Sequence, residues 1–192
     1  MARVRYTDNP IVSGYPDYIF SGDVRKKCDT HFRVWLQIAR AFDDSTLDPL
    51  EKALTAINLS GIEHTDTLKD LEGISLFLSC GEKSTQGDNK RLMDYDIDAG
   101  RIVASFQAVY GIDITARDCS LHWWRFNDLL RNLPHDSALM QAVDVRTMKL
   151  PEGNDKNARE RRETIVKAKR ELAIPAKTAQ EKLARDKEIW GD

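Results

Sequence analysis

The chain has 192 residues, with 29 Lys and Arg against 31 Asp and Glu and a formal net charge of −2. That length can bury a sizeable core, and 41% apolar content excludes a wholly disordered chain. The near-neutral balance, with a mean hydropathy of −0.51, describes extensive wet surface and supplies no excess of cations for a phosphate-binding face.

The first stretch is broken by Pro10, Gly14 and Pro16 before apolar residues flank the pair Ser21-Gly22, which reads as a short hairpin or extended cap. A helix is expected from Asp29-Thr30, either of which can cap it, with Phe32, Trp35, Leu36, Ala39 and Phe42 at helical spacing. A second opens at Asp48-Pro49, where proline suits the first turn, and closes at Gly61. A third starts at Asp66-Thr67 and contains Gly73 as an internal weak point. Residues Gly81 to Asn89 read as a polar loop. Ile102, Val103, Phe106, Val109 and Tyr110 form one stripe, stopped by Gly111. Further helices are expected over Leu121 to Leu133, ended by Pro134, and from Ser137 to about Met148.

Composition shifts after Pro151 to dense mixed charge with a thin apolar seam of Ala158, Ile165, Ala168 and Leu172. Pro175 interrupts the seam, and Ala179, Leu183 and Trp190 continue it. So narrow a stripe suits coiled-coil-like contact or a solvent-exposed arm more than a globular core. The expected fold class is therefore all-α: an N-terminal extended or hairpin element over 1–28, a helical core domain over 29–150, and a charged helical arm over 151–192.

Little in the chain points to chemistry. Cys28, Cys80 and Cys119 are widely spaced and include no CxxC pair, which fits buried or idle thiols in a reducing cytosol. The N-terminus forms no signal-peptide apolar region, and no apolar run approaches the roughly 20 residues that span a bilayer. Asp94, Asp96 and Asp98 mimic the start of a calcium loop, but Ala99 and Ser105 stand where the sixth-position Gly and twelfth-position Glu belong. Aspartates ahead of a helix are expected to cap its free N–H groups instead. The histidines His31, His64, His122 and His135 include no pair at helical zinc spacing. His122 shares a face with Phe126, Leu129 and Leu133 and reads as a partly buried, hydrogen-bonded residue. Gly81-Glu82-Lys83-Ser84 lacks the first glycine of a phosphate loop. The reading is no catalytic, cofactor-binding or metal-binding residue.

Leu121-His122-Trp123-Trp124-Arg125-Phe126 is the most distinctive stretch. Trp123, Phe126, Leu130 and Leu133 share one face and read as core. Trp124 falls off that stripe, near Asp128 and Arg131, and is either packed by a neighbouring helix or an anchor for a partner. Leu121, Trp124 and Arg131 here, with Ile165 and Leu172 on the charged arm, are the candidate partner-binding residues.

Five segments carry a resemblance: Thr30-His31-Phe32-Arg33-Val34-Trp35-Leu36; Asp94-Tyr95-Asp96-Ile97-Asp98 with Ile102-Val103-Ala104-Ser105-Phe106; Tyr110-Gly111-Ile112-Asp113-Ile114; the Leu121–Phe126 run; and Leu129-Leu130-Arg131-Asn132-Leu133-Pro134. In this order and spacing they resemble the "gene product fifteen" family of tailed-bacteriophage proteins, over roughly residues 29 to 175. The Leu-His-Trp-Trp-x-Phe run with its downstream Leu-Pro is the most specific element. The resemblance implies no enzymatic activity and transfers no catalytic residue. Its members' usual place beside the tape measure gene implies a tail assembly chaperone in the host bacterial cytoplasm. Such a chaperone would bind the tape measure protein, and could bind other tail proteins, without nucleic acid or membrane, and could self-associate through the C-terminal seam. The competing readings are a structural virion component, such as a head–tail connector or tail completion protein, and a small DNA-binding regulator. The regulator would need more basic surface than Lys167-Ala168-Lys169-Arg170.

Overall fold

Helical periodicity dominates the chain, and the computed structural model realises it as eight helices and one two-stranded sheet among the described residues, which are 6, 9–82, 91–153, 155–176 and 183. The fold is mostly α, as the sequence implies. The chain divides into two compact units, one drawn from Met1–Thr85 with Ala116–Arg131 and the other from Gln86–Thr115 with Asn132–Asp192.

The first unit opens with a four-residue helix, α1 (Pro10–Ser13), capped by Asn9. The hairpin expected around Ser21-Gly22 is present: β1 (Tyr18–Ser21) pairs antiparallel with β2 (Val24–Lys27) in the register Tyr18↔Lys27 to Ser21↔Val24. Gly22 takes a φ of 61° in the two-residue loop, where glycine meets no Cβ penalty. Next come α2 (Phe32–Asp43) and α3 (Pro49–Ser60), the latter opened by an Asp48–Glu51 capping box and closed by Gly61 at a φ of 69°. α4 (Thr67–Leu78) starts from an Asp66 cap and packs on β1. Gly73, a weak point by propensity, is where α4 meets the strand: a Cβ there would lie 2.1 Å from the Phe20 carbonyl oxygen. Ile19, Trp35, Ile38, Ile74 and Phe77 are fully buried.

α6 (Trp123–Arg131) completes this unit and is shorter than the expected Leu121 to Leu133. Leu121 is still extended: the Phe32 N–H donates to its carbonyl at 2.9 Å, and the Trp123 N–H donates to Thr30 at 2.8 Å. These bonds bridge His31 and His122 antiparallel. Both histidines then cap a helix. His31 Nδ1 accepts from the Arg33 N–H and His122 Nδ1 from the Trp124 N–H, at 3.2 and 3.0 Å. With Nδ1 accepting, each Nε2 donates to a carbonyl, Cys119 for His31 and Pro16 for His122, both at 3.0 Å. His31, rather than Asp29 or Thr30, is therefore the cap of α2. His122 is the hydrogen-bonded, partly buried residue expected, but it precedes the α6 stripe.

The second unit contains α5 (Ala99–Tyr110), α7 (Ala138–Thr147) and α8 (Lys156–Glu171), with α7 packed on both of the others. The expectation that Asp98 caps α5 is overturned. Its side chain makes no cap bond and is fully buried, with Arg146 donating to both carboxylate oxygens at 2.7 and 2.8 Å. A planar guanidinium offering parallel donors outcompetes the first-turn N–H groups for a buried carboxylate. Asp94 takes a turn role, accepting from the Asp96 and Ile97 N–H groups. α8 ends at Glu171, three residues short of the residue preceding Pro175. The polar loop expected to Asn89, from residue 83 onward, and the seam continuing through Ala179 and Trp190 lie outside the described residues.

Candidate protein-binding site

In the first unit, the irregular segment around Pro10, Gly14 and Pro16 cannot continue as helix or strand, and its aromatic residues gather round α6. Tyr6, Pro10, Ser13, Gly14, Tyr15, Pro16, Asp17, Tyr18 and Trp124 line a cavity of about 130 Å³. Ile11 and Val12 of α1, next to lining residues, are 92% and 81% exposed. Apolar side chains that wet invite a covering partner.

Trp124 is half-buried, and its ring packs on the Phe77 ring with centroids 5.4 Å apart. Its Nε1–H donates to the Phe77 carbonyl at 3.0 Å, and its ring stands edge-on to Tyr6 with centroids 4.8 Å apart. The Tyr6 hydroxyl donates to the Tyr18 carbonyl at 3.2 Å. Burial, with the nearby Cys28 and Tyr18 groups, pushes the Tyr6 phenol far above its ordinary range despite the backbone contact at Phe20. Tyr15 stacks on His122 at 5.1 Å and donates to Asp128 Oδ2 at 2.8 Å. Its own burial and that hydrogen bond raise it to about 12. The phenols therefore stay neutral. Burial lowers the basicity of His122, outweighing the Pro16 carbonyl and Asp17. The Arg25 guanidinium lies 4.7 Å from the Tyr18 ring centroid, a cation–π distance.

The sequence-derived candidates are distributed between the units. Leu121 is buried in the first unit, 7% exposed. Arg131, at the far end of α6, is exposed and paired with Glu82 at 2.6 Å. In the second unit, Ile165 and Leu172 are half-buried, and the Leu172 carbonyl accepts from Arg146 Nε at 2.7 Å. Trp124 alone among the five lines the cavity. Sequence reasoning passed over Tyr6, Tyr15, Asp17 and Tyr18. The available signal was the density of aromatic residues in a segment too broken by Pro and Gly to be core helix.

Chemical options beyond packing are few. Burial pushes the Cys28 and Cys80 thiols up to about 12, which leaves them poor nucleophiles. Among the described residues no group of three His, Cys, Asp or Glu could hold a metal ion, and no helix is long and apolar enough to cross a membrane.

A family model described as "Bacteriophage Gp15 protein" matches residues 19–174. No curated protein and no solved structure matches the chain.

Proposed function

Because the chain belongs to the bacteriophage Gp15 protein family, a phage structural or morphogenesis family, we propose that it is a tail assembly chaperone. In this reading it is non-enzymatic and binds the tape measure protein in the host cytoplasm before the tail tube closes round it. A tape measure protein is long and helix-rich, with apolar stretches that aggregate when unassembled. The observation that supports a binding role is the exposed pair Ile11 and Val12 beside the aromatic cavity that Trp124 lines. An amphipathic client helix would lay its apolar stripe on α1 and place one side chain in the cavity. Association of two copies through the Ile165–Leu172 seam would add avidity along a long client.

Co-expression with the neighbouring tape measure protein tests the reading. The expected result is a soluble tape measure protein that co-purifies with this chain. Unchanged solubility with no co-purification overturns it. Recovery of the chain in purified particles at structural stoichiometry would instead favour a connector or tail completion protein.

A further inference from the structure

The cavity's lining says which side chain it takes. Tyr6, Tyr15, Tyr18 and Trp124 contribute four electron-rich rings, and Asp17 contributes the one carboxylate among the lining residues. The Tyr6 and Tyr15 hydroxyls and the Trp124 indole N–H already donate to protein acceptors. Among the described residues, nothing hydrogen-bonds to or pairs with the Asp17 carboxylate, and Asp17 is exposed. Aromatic rings beside a carboxylate that has no partner among the described residues make an environment that attracts organic cations. A ring of the same group, Tyr18, already carries a guanidinium at 4.7 Å, that of Arg25. A volume of about 130 Å³ is close to the roughly 150 Å³ engineered cavity that holds one benzene. It admits one side-chain end and excludes a helix or a peptide backbone.

We infer that this cavity is a cation cage that captures a single arginine side chain from the partner's helix. The guanidinium stacks among the rings and its positive charge is balanced by Asp17. The inference rests on the chaperone reading for the identity of the partner, and it adds the feature that picks a segment out of a long client. Apolar contact with Ile11 and Val12 holds any amphipathic helix. The cage selects one with an arginine beside its apolar stripe. Arginine is favoured over lysine because a planar, weakly hydrated guanidinium stacks on rings and gives up less hydration on entry.

The test is a titration of the full chain with arginine amide, followed through the Trp124 indole N–H resonance, with leucine amide and norleucine amide as apolar probes, all three Nα-acetylated so that the guanidinium is the only cation among them. Arginine amide should give a saturable shift that weakens with salt, and the apolar amides none. Asp17→Asn should weaken arginine amide by about three- to fivefold, and Asp17→Lys should abolish binding. Thermal melting of both variants at pH 8, where His122 is neutral, should match the parent, because among the described residues only the Asp17 backbone carbonyl accepts a hydrogen bond, from the Cys28 N–H. An equal response to leucine amide, or an arginine response indifferent to Asp17→Asn and to salt, overturns the inference. Co-purification separates it from the chaperone reading. Tape measure protein that co-purifies equally with the parent and with Asp17→Lys removes the cage and leaves the chaperone. Failure to co-purify with the parent removes the chaperone, and the amide titration still decides the cage.

Discussion

At the scale of single residues, the positions that matter most to stability are those where local preference and tertiary contact disagree. Gly73 costs α4 up to about 1 kcal/mol of helix propensity relative to alanine. Its missing Cβ lets the helix lie against the Phe20 carbonyl, 2.1 Å from where that carbon would be. The obstructing atom is backbone and cannot rotate away, so overpacking of about 1–3 kcal/mol outweighs the propensity gain. Gly73→Ala should therefore destabilise the protein, read as a lower denaturant midpoint at unchanged slope. A gain in stability would mean that α4 and β1 separate without cost. Asp70 shows the same disagreement in charge. It looks like an ordinary acidic residue in a first helical turn. It is fully buried, with Lys26 Nζ at 2.5 Å and His64 Nδ1 at 2.9 Å. Burial alone would raise its carboxyl. The bonds from Lys26, Ser21, His64 and the Thr65 N–H outweigh burial and hold it far below the usual range.

At the scale of elements, helix positions were legible because the apolar period agreed with a capping aspartate at the start of α3 and α4 and with a terminal glycine at the end of α3 and α5. The hairpin was legible because Gly22 is the one residue there that turns without strain. Tertiary pairings were not. Nothing near Asp98 announces Arg146, 48 positions away, so the aspartate reads as a cap. Nothing near His122 announces the bridge to His31, so the histidine reads as part of the α6 stripe when it is the residue that starts α6. The candidate site was half legible: Trp124 stood out, while its companions lay in a segment with no period to follow. Arg146 is the clearest handle on element packing. It joins the start of α5 through Asp98, the end of α8 through the Leu172 carbonyl, and the approach to α5 through the Leu92 carbonyl. Arg146→Met leaves a buried carboxylate without its main partner and should cost about 3–5 kcal/mol. Arg146→Lys keeps the charge but loses the fork, and should cost less. Urea unfolding of the two variants checks the order, and equal losses would show that the retained charge contributes nothing and the fork geometry alone holds these helices.

At the scale of the whole molecule, each unit is keyed by one buried carboxylate, Asp70 in the first and Asp98 in the second. For Asp98, burial would raise the carboxyl, and the Arg146 bonds, the Asp94 N–H and the charges of Arg146 and Arg101 prevail and lower it. Both carboxyls bind protons less readily folded than unfolded. Their contribution is complete above the ordinary carboxylate range near pH 4 and is lost as pH falls below it. His122 acts earlier and only on the first unit. Its basicity is lowered in the fold, so below about pH 6.5 the unfolded chain takes up a proton that the folded chain resists, and stability falls. Protonation at Nδ1 would also remove the acceptor that caps α6. Acidification should thus weaken the first unit as pH falls below about 6.5 while the second keeps its protection, and both should fail below about pH 4. Hydrogen exchange resolved by segment reads the two steps separately. His122→Asn keeps a cap acceptor but cannot titrate, so it should abolish the early step and leave the late one. An early step that persists in His122→Asn would assign it to another group. Simultaneous loss in both units from pH 6.5 would show that they unfold as one.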